Sequence, residues 1–129
     1  MSYYISKTLK NTSFEEGIEK ITAALQTEGF GILTEIDLKA TLKKKLDVDF
    51  YNYKILGACN PGFAYKALQS ENKIGTMLPC NVIVQERNKG DIEISAVDPM
   101  ASMQAVENNN LGQLAKEVKT KLENCIKAI

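Results

Sequence analysis

Two runs of alternating apolar and polar residues, Cys80 to Arg87 and Asp91 to Asp98, are separated only by Asn88-Lys89-Gly90. Strand side chains point to opposite faces in turn, and a short connection containing glycine closes two such runs into a hairpin. Whatever else the chain forms has to be assembled around this antiparallel pair. If Arg87 opposes Asp91 across the loop, then Val84 faces Ile94, Val82 faces Ala96 and Cys80 faces Asp98. The end of the chain supplies a cover. Leu111, Leu114, Ala115, Val118, Leu122, Cys125, Ile126 and Ile129 fall on one helical stripe, while Glu117, Lys119, Lys121 and Glu123 fall off it.

Before the hairpin the two periods alternate. Tyr3 to Leu9 reads as a strand. Phe14, Ile18, Ile21 and Leu25 then recur at helical spacing, with Ser13 and Glu16 as a capping box at the start and Gly29 at the end. Phe30, Ile32, Thr34 and Ile36 alternate with Gly31, Leu33 and Glu35 as a strand does, and Asp37 caps a short helix carrying Leu38, Leu42 and Leu46. Tyr53 to Cys59 is a third strand. Asn60-Pro61 has the order that opens a helix, running to about Glu71, with Ala64, Ala67 and Leu68 toward the core. The order is β-α-β-α-β-α-β-β-α, which predicts an α/β (α+β) fold with a single mixed β-sheet of about five strands and helices packed on one face. No repeat, low-complexity tract or linker interrupts it, so residues 1–129 are expected to form a single domain.

Apolar residues make up 44% and charged residues 25% of the chain, the balance of an ordinary globular protein. The 16 basic and 16 acidic residues cancel, which removes the electrostatic footprint of a nucleic-acid binder. Lys43, Lys44 and Lys45 form the one dense basic cluster and suit the C-terminal end of a helix, whose dipole favours cations. No stretch approaches the roughly 18 apolar residues of a membrane span, and Met1 to Lys10 lacks the apolar run of a signal peptide. The cytosol is the expected location, with no membrane partner. The three cysteines fit neither a disulfide framework nor a Cys-x-x-Cys motif, so reduced thiols are expected. Histidine is absent, which removes the commonest general base and transition-metal ligand. There is also no phosphate-binding glycine loop and no nucleophile elbow.

Strand parity sorts the sheet into two faces. Phe30, Ile32, Ile55, Cys59, Cys80, Val82, Val84, Ile92 and Ile94 form one, apolar enough to lie under helices. Leu33, Glu35, Leu56, Asn60, Asn81, Ile83, Gln85, Glu93, Ser95 and Val97 form the other, whose mixed character suits a homodimer contact or a ligand platform.

Two Cys-Asn pairs, Cys59-Asn60 and Cys80-Asn81, lie at strand ends beside prolines. Buried free cysteine behaves as a small hydrophobe, which accounts for Cys125 and is the simpler reading of Cys59 and Cys80 too. The sharper reading is a reactive thiol. A carboxylate opposite Cys80 would raise its pKa, whereas the helix starting at Pro61 would lower that of Cys59, so Cys59 is the candidate catalytic thiol. Sulfur ligation by Cys59 and Cys80 with Met100 or Met103 would select monovalent copper, and a zinc site would be short of ligands. No metal and no cofactor are expected. Capping accounts for Asn60 and Asp98 before their prolines, but not for Asn81, since asparagine is disfavoured in strands. Asn60, Asn81 and Ser95 meeting on the mixed face would orient a small polar ligand, and the helix N-terminus at Pro61 would favour an anionic group.

Gly29-Phe-Gly-Ile-Leu-Thr-Glu-Ile-Asp37, Tyr53-Lys-Ile-Leu-Gly-Ala-Cys-Asn-Pro61, Leu78-Pro-Cys-Asn-Val-Ile-Val84 and Ser95-Ala-Val-Asp-Pro-Met100 resemble, in order, the motifs of the bacterial and archaeal domain of unknown function 302 family. The resemblance implies a compact α/β fold with one mixed sheet, assembled as a homodimer, and brings no activity with it. Two functional classes stay open. One is a non-enzymatic module binding a small ligand or a partner near Cys59, Asn60, Cys80, Asn81, Ser95 and Asp98. The other is a redox or sulfur-handling protein acting through Cys59, with Cys80 as its partner. A purely structural dimerisation domain is the blandest alternative.

Overall fold

The computed structural model describes residues 2–129. Strand β1 (Tyr4–Leu9) leads into helix α1 (Phe14–Thr27), whose start is set by Ser13: its hydroxyl accepts from the Glu16 amide at 3.1 Å. Gly29, at φ 86°, takes the left-handed conformation that ends the helix, as expected. Next come β2 (Gly31–Asp37) and α2 (Leu38–Leu46), capped by Asp37 accepting from the Ala40 amide at 2.9 Å. Then follow β3 (Asn52–Cys59), α3 (Pro61–Ser70), a 3-10 turn (Ile74–Met77), β4 (Cys80–Asn88) and β5 (Asp91–Val97). A one-turn α4 (Pro99–Ser102) precedes the long α5 (Asn109–Ala128).

The strands lie in the order β1-β5-β4-β3-β2. The α/β class and the five strands agree with the sequence pattern, but all four neighbouring pairs are antiparallel where a mixed sheet was expected. A helix between two strands commonly serves a parallel crossover. However, α2 and α3 have only 9 and 10 residues and join strands that are direct neighbours, so they act as long turns. At about 1.5 Å per residue such helices span roughly 15 Å, well short of an eight-residue strand.

One sheet face is covered. Leu56, Val82, Val84, Ile92, Ile94 and Ala96 pack against Ile21 and Leu25 of α1 and Val118, Leu122, Cys125 and Ile126 of α5. Each fully buried Leu, Ile or Val stabilises the fold by about 1.5–3 kcal/mol. Gly17 lets α1 lie close to the sheet, since a β-carbon there would sit 2.6 Å from Ile92 Cγ2. A second, smaller core joins Ala67 of α3, Ile74 of the 3-10 turn and Leu111 of α5.

Three parts of the expected register need correction. In β3 the phase is shifted by one residue: Leu56 pairs with Val82 and Ala58 with Cys80, both on the covered face, while Ile55 pairs with Ile83 on the open one. Cys59 therefore falls out of phase with Cys80. The run Ile55-Leu56-Gly57-Ala58-Cys59 is apolar or small at both parities, so alternation alone did not fix which set faces the core. In β2 a bulge between Ile32 and Thr34 pushes Leu33 out to 66% exposure. In the hairpin, Asn88 rather than Arg87 opposes Asp91. A bulge between Gln85 and Asn88 then restores Val84 opposite Ile94 and Val82 opposite Ala96. In α3, Ala67 is buried as expected but Leu68 is 44% exposed, because this short helix touches the body along a narrow stripe.

Candidate functional site

The residues singled out from the sequence divide among three places. Cys59, Asn60 and Cys80 line a cavity of about 40 Å³ beneath α3, together with Phe30, Phe63 and Met103. That is room for a few waters at most, not for a metabolite. Burial, and next the neighbouring Cys59, push the Cys80 thiol up to about 11. The direction is the expected one but the cause is not, since Asp98 is engaged elsewhere. Its carboxylate accepts from the Met100 amide at 2.9 Å and pairs with Lys119 at 3.0 Å. Cys125 is also pushed up to about 11, by burial first and then by Glu28, and its Sγ lies 3.4 Å from the Ala24 carbonyl. Of the proposed sulfur ligands, Met103 shares the cavity with the two thiols, whereas Met100 lies in a separate groove with Asp98 and Lys119. Among the described residues no three His, Cys, Asp or Glu side chains form a metal-holding group.

Asn60 occupies the N-cap position of α3 without capping it. Its amide donates instead to the Glu28 carbonyl at 3.2 Å, fastening the β3–α3 junction to the end of α1. The helix keeps Pro61 at its start but no side-chain cap.

Asn81 and Ser95 lie on the open face of the sheet. Cross-strand register builds that face in rows. Ser6, Ser95, Ile83, Ile55 and Ile36 form one, and Thr8, Glu93, Gln85 and Tyr53 form the next. Tyr3 and Tyr4 stand at one side of the face, 5.1 Å apart edge to face, and Tyr53 stands at the other beside the stacked pair Phe50–Tyr51. Between them is a groove of about 500 Å³, floored by Asn81, Ile83, Gln85 and Ser95. Burial, then Tyr51 and Tyr3, raise the Tyr53 pKa. At one end Arg87 and Glu93 pair at 3.4 Å. The tyrosines were not singled out from the sequence. Tyr53 shares the phase of Ile55, so assigning Ile55 to the core concealed it, and the bare signal was a tyrosine two residues before an outward-facing isoleucine.

The sequence profile described as "Domain of unknown function DUF302" matches residues 5–129. The chain belongs to the DUF302 family. A crystal structure of an uncharacterized conserved DUF302 protein from Bacillus stearothermophilus is similar at a TM-score of 0.90 and 26% identity, covering 99% of this chain and 98% of that one. No curated protein matches the chain. The DUF302 assignment and the shared architecture agree with the motif resemblance. No helix among the described residues is long and apolar enough to cross a membrane.

Proposed function

We propose that this DUF302 domain is a non-enzymatic binding module that works as a homodimer and takes a small ligand on the open face of its sheet. One observation carries the reading: of the six candidate site residues, Asn81 and Ser95 are the two that share a concavity of metabolite size, about 500 Å³. Support for the homodimer comes from exposed apolar side chains at the β2 edge, Leu33 and Ile36 on the strand with Leu46 and Val48 at the end of α2. The three unpaired thiols suit a cytosolic setting. Native mass spectrometry of gently purified protein tests both parts. A dimer carrying a stoichiometric added mass is the expected result, and a monomer with no added mass would remove the reading.

A thiol-dependent role through Cys59 is the second reading. Cys59 is partly exposed while Cys80 and Cys125 are buried, which leaves it the accessible thiol of the three. Cys59→Ser separates the two. Loss of ligand retention as well as thiol reactivity favours the second reading, and retention unchanged favours the first.

A further inference from the structure

We propose that the groove on the open sheet face binds an uncharged planar heterocycle of the nucleobase class, held between Tyr53 and the Tyr3–Tyr4 pair, with its edge hydrogen-bonded by Ser95 and Asn81. The inference rests on the binding-module reading and gives it a ligand class. Ser95 is the starting point. It is 6% exposed and lies on the groove floor, yet its hydroxyl has no hydrogen-bond partner among the described residues. Among the described residues no side-chain nitrogen or oxygen fully shut off from solvent lacks a partner, so this groove-lining hydroxyl keeps some access to solvent. A nearly buried hydroxyl without a protein partner calls for one from whatever fills the space above it.

Asn81 supplies the second polar group. It is exposed and lies two residues from Ile83, the direct cross-strand partner of Ser95. The amide and the hydroxyl are thus diagonal neighbours, about 7 Å apart at their β-carbons. Together they provide donors and acceptors in one line, the pattern that matches the edge of a nitrogen heterocycle. Ile83 beneath and tyrosine rings on either side form the apolar bed that a planar ring needs. Charge decides between a neutral and a phosphorylated ligand. Among the described residues Arg87 is the one cation lining the groove, and it is paired with Glu93 at 3.4 Å, which favours a neutral ligand over an anion.

Titration of the full chain with adenosine and uridine, followed residue by residue by amide chemical shifts, is the test, with adenosine monophosphate as the charged comparison. We expect saturable shifts centred on Ser95, Asn81 and Tyr53, no gain from the phosphate, and about tenfold weaker binding in Tyr53→Ala, the loss of one stacking partner. Ser95→Ala and the exposed Asn81→Asp should also weaken binding while leaving the circular dichroism spectrum unchanged. The proposal falls if neither nucleoside gives saturable shifts up to its solubility limit, if the shifts map to the cavity beneath α3, or if a second copy of the chain protects the groove amides from exchange. Retention of a ligand of another class in the native mass spectrum would overturn the heterocycle assignment and leave the binding-module reading standing.

Discussion

The Lys119 ammonium lies 3.0 Å from one oxygen of the Asp98 carboxylate, and the other oxygen accepts from the Met100 amide at 2.9 Å. A single side chain thus caps α4 and ties it to α5. Asp98→Ala loses both, and we expect urea unfolding to show a loss of about 1–2 kcal/mol, mostly from the cap. Lys119→Ala should cost distinctly less, because its side chain is partly in water. The bond to Asp98, and then its charge, raise the Lys119 pKa. A raised folded-state pKa adds stability that is complete below the ordinary lysine value and is lost as pH rises through the raised one. Asp98→Asn should therefore flatten the alkaline limb of a stability profile.

Asn60 tests whether a residue at a cap position acts as a cap. Serine is a good N-cap, so a capping role makes Asn60→Ser close to neutral. The bond actually made runs from the amide to the Glu28 carbonyl, and serine is too short to replace it. We expect Asn60→Ser and Asn60→Ala to lose about 1 kcal/mol alike in denaturant unfolding. Asn60→Asp should lose more, since it sets a carboxylate against a carbonyl.

Glu86 holds the hairpin turn. Its carboxylate accepts from the Gly90 amide and from the Asn52 side chain, each at 3.0 Å. These bonds, the Gly90 one first, lower its pKa against a small opposing effect of burial. A lowered folded-state pKa contributes stability that is full above the ordinary glutamate value and is lost as pH falls through the lowered one. The protection factor of the Gly90 amide, its exchange corrected for the intrinsic pH dependence, should fall in that acid window in the wild type, and Glu86→Gln should remove that fall. An unchanged profile in the variant would assign the acid sensitivity to another group.

The cysteines should differ in reactivity by location. With Cys80 and Cys125 pushed up to about 11, neither carries appreciable thiolate near neutral pH, and both are buried. Alkylation of native protein at pH 8, read by intact mass, should give one adduct at Cys59 and none in Cys59→Ser. Two or three adducts at comparable rates would contradict the burial of the other thiols.

Much of the fold is legible where one physical signal dominates. The stripe from Leu111 to Ile126 has a single solution as a helix, and Ser13 with Glu16 or Asp37 before Leu38 mark helix starts through local hydrogen bonds. Phase in β3 was not legible, because Ile55 and Leu56 are equally apolar and only the long-range pairing of Leu56 with Val82 separates them. The site suffered from that ambiguity. Sequence parity groups Asn60 with Asn81 and Ser95, but Asn60 continues the phase of Leu56 and Ala58 and lies beneath α3, while Asn81 and Ser95 lie on the open face. Asn60 misled for a related reason: its local context reads as a cap, and its partner Glu28 lies 32 residues away.

The bulge at Leu33 has a consequence for how the domain behaves in crowded solution. β2 is an edge strand, and a flat edge with free backbone groups is a template onto which other chains add, in register, without limit. The extra residue breaks the spacing of those groups at the middle of the strand. Leu33 and Ile36 stand exposed on this interrupted edge, and the broken spacing disfavours the strand-by-strand addition on which fibrils grow.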